Sequence, residues 1–315
     1  MLDSKANATI LLVVMLVAGT SAYILLRDQW QITNQTDTPQ SFFTEKTLSP
    51  TSVSTMLAAP IAANDSNWAG YIIASDLQNP QANVTGVSAS WIAPTVTISS
   101  QNTFSAVWIG IGGFFDNTLI QTGTEQDSIG EQIEYYVWYE LIPGYSTIID
   151  TIIVSPGDQI NASIQLVDPN AHTWSIYIED VTTGQAFQND FIYNSSQLSA
   201  EWIVERPTIN GHLSSLADVG TVSFTNCQVT IGEQSGNISS FPIIQSIMYE
   251  SVQETGGITQ LAAVSSLMDG GSSFYVETSP EAIPELITFW AVSGIMGTVL
   301  FAVTLQKIYH TRNNG

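Results

Sequence analysis

From Trp68 to Glu277 the chain is written in short runs of β-branched and aromatic residues, each soon closed by Gly, Pro, Asn or Asp. Such runs occupy residues 68–73, 84–92, 106–111, 134–142, 146–154 and 159–167, then 173–179, 201–204, 220–230, 242–249 and 272–277. Turn signals such as Pro156-Gly157-Asp158, Thr183-Gly184 and Gly270-Gly271 separate them. A helical period is sustained nowhere in this stretch; only residues 197–201 fit a single helical turn. Many short strands spaced by turns close their backbone hydrogen bonds as an antiparallel sandwich or barrel. The expected fold class is therefore all-β, an antiparallel β-sandwich of two packed sheets occupying residues 61–280.

Two apolar runs frame that domain. Residues 8–26 and 286–305 are free of charge, and each has about the 20 residues that a helix needs to cross a hydrocarbon core. Lys307, His310 and Arg312 follow the second run. The positive-inside rule then puts the C-terminus in the cytoplasm and the central domain outside. The sequence thus divides into an N-terminal membrane anchor or signal-anchor (1–27), a Ser/Thr/Pro-rich tether (28–60), the β domain (61–280), a C-terminal transmembrane helix (284–306) and a cytoplasmic tail (307–315). The expected location is the cell membrane, with N- and C-terminal transmembrane helices flanking an extracytoplasmic domain.

The charge balance narrows what the domain can meet. Six basic residues stand against 28 acidic ones, and between residues 60 and 280 only Arg206 is basic. A surface without Lys and Arg cannot displace counterions from phosphates, which excludes nucleic acid as a partner. The same composition suits acid: once carboxylates are neutral below about pH 3, few positive charges remain to repel one another. The single cysteine, Cys227, permits no intrachain disulfide.

The motifs of nucleophilic and metal-dependent hydrolysis are missing: there is no Gly-x-Ser-x-Gly, no Cys-x-x-Cys and no His-Glu-x-x-His. His172 and His212 sit in turn sequences with no nucleophile-like turn nearby. The acidic group Asp127, Glu131 and Glu134 lacks the ligand–glycine spacing of a calcium loop, so neither metal nor other cofactor is implied. What remains for hydrolytic chemistry is carboxylates and amides. A carboxylate can serve as general base on water and then as general acid to the leaving group. A neutral amide can donate hydrogen bonds to a developing oxyanion.

A series of motifs selects particular residues. Ser66-Asn67-Trp68-Ala69-Gly70 is followed by Val84-Thr85-Gly86 and Pro94, then by Val107-Trp108-Ile109-Gly110-Ile111, Leu119-Ile120-Gln121-Thr122-Gly123 and Val137-Trp138-Tyr139-Glu140 before Pro143. Gly157-Asp158, Thr182-Thr183-Gly184-Gln185, Ala200-Glu201-Trp202-Ile203-Val204-Glu205 and Gly220-Thr221-Val222-Ser223-Phe224-Thr225-Asn226 complete it. In this order they resemble the mature domain of the glutamic peptidases (eqolisins). The resemblance implies a concanavalin- or lectin-like sandwich, protein or peptide substrates, and an acid endopeptidase with a catalytic dyad of Gln121 and Glu205. By the same resemblance Glu205 activates water and later protonates the leaving amine, while Gln121 positions the water and stabilises the oxyanion. Trp108 would line the cleft, Trp138 would pack beneath it, and Glu140 would stand behind the dyad. Glu201, four residues before Glu205 and on the same face of one strand, is the rival for the carboxylate role. Two departures stand out: Gly112 and Tyr136 occupy positions where the family carries Asp. The alternative reading is a tethered lectin-like or adhesive β-sandwich that binds without catalysis.

Overall fold

A computed structural model describes residues 60–252 and 257–278 of the chain. The runs at 8–26 and 286–305, the tether and the tail lie outside the described residues, and among the described ones no helix is long and apolar enough to cross a membrane. The first strands are β1 (Ile61–Asp65), β2 (Trp68–Ile73), β3 (Val84–Ile92), β4 (Ala106–Gly112), β5 (Leu119–Ile129), β6 (Gln132–Leu141) and β7 (Thr147–Ile148). Next come β8 (Gln159–Asp168), β9 (Thr173–Asp180), β10 (Gln185–Ile192), β11 (Ala200–Glu205), β12 (Thr208–Ile209) and β13 (His212–Leu213). The last are β14 (Thr221–Ile231), β15 (Gln234–Asn237), β16 (Ile243–Val252), β17 (Gly257–Val264) and β18 (Phe274–Thr278).

The all-β expectation holds, with one correction to its form. Instead of two separate sheets, a single hydrogen-bonded path runs β10-β9-β8-β3-β14-β18-β17-β16-β2-β11-β4-β5-β6-β7. Its two ends fold onto each other as layers: β10-β9-β8-β3-β14 on one side and β2-β11-β4-β5-β6 on the other, joined through β18-β17-β16. Pairing is antiparallel throughout this path, but β1 lies parallel on β16, in register from Ile61 on Ile244 to Asp65 on Met248. Residues 197–201 form no helix; Ala200 and Glu201 open the strand β11. The expected strand at 146–154 is reduced to Thr147–Ile148, because a turn at Asp150–Thr151 breaks the ladder.

Period-two alternation explains the core. Trp91, Ile160, Ile164, Trp174, Ile176 and Phe224 come from one layer, and Tyr71, Val107, Ile109, Val137, Trp202 and Val204 from the other. Burial at this scale contributes roughly 1.5–3 kcal/mol per large side chain. Phe224 stacks on Phe274 with ring centroids 4.9 Å apart. Indole N–H groups that face this core find acceptors across the layers: Trp202 donates to Ser88 O (3.0 Å) and Trp91 to Thr124 Oγ1 (3.1 Å).

The layer β2-β11-β4-β5-β6 is unusual in having little solvent on either face. Its outer face carries a second apolar cluster of Ile72, Ala106, Trp108, Leu119, Trp138, Ile203 and Ile244. Close pairing of β2 and β11 depends on Gly70, whose φ is +152° and whose place beside Trp202 O leaves no room for a Cβ. Gly70→Ala is expected to lower the unfolding free energy by about 3 kcal/mol, combining overlap with backbone strain. A urea titration followed by tryptophan fluorescence measures it.

Candidate active site

On the outer face of that layer, β11, β4, β5 and β6 align their side chains in rows. One row runs Glu201, Gly110, Gln121, Glu140; the next Ile203, Trp108, Gly123, Trp138; the third Glu205, Ala106, Glu125, Tyr136. Gln121 and Glu205 therefore share a face, on strands separated only by β4. Glycine and alanine keep the middle of this face low. A Cβ on Gly110 would come within 2.8 Å of Trp108 and Leu119, and one on Gly123 would overlap the Val107 carbonyl and Trp108.

Glu205 ends β11 and is partly exposed. Trp108 Nε1 donates to its Oε2 at 2.7 Å and Asn67 Nδ2 to its Oε1 at 3.1 Å. Trp68 meets Trp108 edge-on, with ring centroids 5.0 Å apart, and closes the other side. Burial pushes the Glu205 carboxyl up to about 7, the Glu140 charge adds to that rise, and the Trp108, Asn67 and Trp68 side chains oppose it.

Gln121 is buried at 4% exposure. Its Nε2 donates to Glu140 Oε2 at 2.7 Å, while its Oε1 is buried without a hydrogen-bond partner. Burial raises Glu140 above the usual carboxylate range, against the pull of that amide and of the Ser146 backbone. Trp138 is buried on the same face, and its Nε1 also lacks a partner. Trp108 and Trp138 thus lie on the same face as Gln121 and Glu205, and Glu140 pairs with Gln121.

Glu201 is placed differently. It is fully buried, and neither carboxylate oxygen has a hydrogen-bond partner within bonding distance. Burial lifts it well above the ordinary value, the nearby Ser199 hydroxyl relieving part of the effect. Glu201 is thus enclosed, whereas Glu205 is partly exposed.

Three groups on this face were not singled out as site residues from the sequence. Asn67 lies in the first motif, but its role as a donor to Glu205 emerges only when β2 is laid beside β11. Glu125 and Asp127 continue the period of two from Gln121 and could have been reached by counting along the strand. Glu125 is 6% exposed, and burial first, then the charges of Asp127, Glu205 and Glu140, push it up to about 9. Asp127 is pushed up to about 7 by burial, with the charge of its cross-strand partner Glu134 adding and the Ser105 backbone opposing. Tyr136, standing where the resemblance leads one to expect Asp, pairs with Glu125. The fold thus offers water-binding carboxyl and carboxamide groups in one place, most of them holding protons that free carboxyls would release.

An all-β sandwich with a carboxyl–carboxamide site on one sheet defines the class of protein. Within it, the chain belongs to the peptidase A4 family, which residues 66–272 match. It is 28% identical to Aspergillopepsin-2 of Aspergillus niger over 191 residues, 53% of this chain and 65% of that protein, so the match spans just under two thirds of the relative's length. Among solved structures it resembles scytalido-glutamic peptidase with a transition state analog inhibitor, at a TM-score of 0.56 and 25% identity over 68% of this chain and 99% of that one. It also resembles SCP-B, an eqolisin-family peptidase in complex with the tripeptide Ala-Ile-His, at a TM-score of 0.51 and 25% identity over the same shares.

The raised carboxyls couple folding to pH with a definite sign. Each binds a proton in the folded state that the unfolded chain releases near pH 4, so its contribution is complete below that pH and is lost as pH rises toward the folded value. With Asp127 and Glu205 near 7 and Glu125 near 9, the melting temperature should be highest near pH 4 and fall by about 10 °C or more by pH 8. Calorimetry across this range checks it, and Glu125→Gln should flatten the upper part of the decline.

Proposed function

We propose that this chain is an acid endopeptidase that hydrolyses peptide bonds by a Gln121–Glu205 dyad. The observation that carries the reading is the setting of Glu205. Its carboxylate is held from both sides by neutral donors, Trp108 and Asn67, and it shares a sheet face with the carboxamide of Gln121. Membership of the peptidase A4 family supports the class of reaction. A relative seen with a transition state analog inhibitor and another with a tripeptide support peptide as the substrate.

In the proposed sequence Glu205 takes a proton from water as the water attacks the scissile carbonyl, and returns it to the departing amine. Gln121 donates from its carboxamide to the oxyanion. Glu140 holds the carboxamide by one N–H and leaves the other free to point at substrate. As pH falls, Glu140 loses its charge, which removes one of the influences raising Glu205. The donors around Glu205 then act against burial alone.

The domain is proposed to act outside the cell, anchored through residues 8–26 and 286–305, on the strength of the two apolar runs and the basic residues behind the second.

Casein hydrolysis by the full chain, followed from pH 2 to 7, tests the reading. A bell-shaped profile with its maximum on the acid side of 7 is expected, together with a loss of roughly 10³-fold or more in kcat for Glu205→Gln and at least about 10²-fold for Gln121→Ala. Activity that survives in Glu205→Gln would reject the assignment of the base. A folded wild-type chain that cleaves nothing at any pH would leave the binding-module reading in its place.

A further inference from the structure

The described domain has a single basic side chain other than histidine, and it adjoins the proposed base in sequence. Arg206 follows Glu205 immediately past the end of β11. There the guanidinium is 4% exposed and reaches three separate segments. Nε donates to Ser66 O at 2.7 Å, in the turn between β1 and β2. Nη1 donates to Glu250 Oε1 on β16 at 2.7 Å and, more weakly, to Ser214 O at 3.4 Å beyond β13. The Arg206 backbone N–H also donates to Asn67 O at 3.0 Å.

The turn held in this way delivers donors to Glu205. Asp65 Oδ1 accepts the backbone N–H groups of Asn67 (2.9 Å) and Trp68 (3.1 Å), which fixes the local bend. Asn67 Nδ2 then reaches Glu205 Oε1. An Asx turn by itself sets the bend but not where the bend lies relative to β11. The β2–β11 ladder, which pairs Trp68 with Glu205 and continues in the Arg206 N–H to Asn67 O bond, sets the register, and the Arg206 fork on Ser66 O holds the turn beyond it.

We infer that Arg206 is a positioning residue for the proposed peptidase reaction: gripping Ser66 just past the end of β11, it steadies the Asn67–Trp68 turn that holds Glu205. This rests on the reading of Glu205 as the base. The planar fork is the reason for arginine here, since lysine keeps the charge but cannot bond the Ser66 carbonyl and the Glu250 carboxylate in fixed directions. The charged groups that bear on Glu205 are Glu140 and Glu125 on its own face and the Arg206–Glu250 pair behind the strand.

The test is a cycle on the full chain, purified in detergent: wild type, Arg206→Lys, Asn67→Ala and the double variant, each assayed for kcat/KM on casein from pH 2 to 7. Arg206→Lys preserves charge, so any change in pH profile reports geometry. Either single variant should lower kcat/KM about tenfold, the scale of one hydrogen bond to a charged group. Each should also move the acid limb to higher pH, because the ionised form of Glu205 loses a donor. In the double variant the two effects should not add: once Asn67 is gone, Arg206→Lys should change kcat/KM by less than about twofold and leave the limb where Asn67→Ala put it. Additive losses, or a limb unmoved by Arg206→Lys, would overturn the inference while leaving the dyad intact. Failure of the wild type to cleave would instead reject the reading on which it rests. If Arg206→Lys does not accumulate as folded protein, Glu250→Gln, which alters the more exposed end of the clamp, forms the same cycle with Asn67→Ala and is judged by the same non-additivity.

Discussion

The outer face of the β11–β4–β5–β6 sheet buries carboxyl groups with no cation beside them, and this constraint organises the site. A carboxylate removed from water must either keep its proton or be given donors in place of the water it loses. Both solutions occur within a few residues. Glu125, Asp127, Glu201 and Glu205 are all raised by burial, and Glu205 in addition receives an indole and a carboxamide that oppose the rise. The described residues contain one ion pair, Arg206 with Glu250, and its guanidinium faces away from the carboxyl row. What distinguishes Glu205 is a side-chain donor on each oxygen, Trp108 on one and Asn67 on the other, a difference of environment of the kind that divides acid and base roles between carboxyls.

Small residues and tryptophans make the separation possible. Gly110, Gly123 and Ala106 lower the middle of the face so that Trp108 can lie across it toward Glu205. Tryptophans on the two sides of the layer are used differently. Those facing the sandwich core, Trp91 and Trp202, spend their N–H groups joining the two layers. On the outer face, the Trp108 N–H goes to Glu205, the proposed base, and that of Trp138 has no protein partner.

Much of the fold was legible because alternation is a local property. β2 and β3 coincide with their sequence runs, and most others differ by a residue or two at the ends. β5 was visible only as a five-residue motif. It is buried along almost its whole length yet carries Gln121, Thr122, Thr124, Glu125, Gln126, Asp127 and Ser128. A strand covered on both faces does not alternate in polarity, and this one is polar for reasons of function. The joining of the two layers into one ladder was not legible at all, since the β16–β17–β18 meander must pair at one end with β2 and at the other with β14, both distant in sequence. At the site, the proposed dyad rests on the resemblance, while the enclosure of Glu201 and the contact of Asn67 with Glu205 required knowing which strands are neighbours.

The parallel strand β1 adds a mechanical consequence. Its five residues lie along β16 from Ile61 to Asp65, and Asp65 is the residue whose side chain holds the Asn67–Trp68 turn. Tension arriving along the backbone at Ile61 therefore loads this short ladder in shear, and the next groups in line are the donors of Glu205. The point where the chain enters the domain is thus also where force and chemistry would first be felt together.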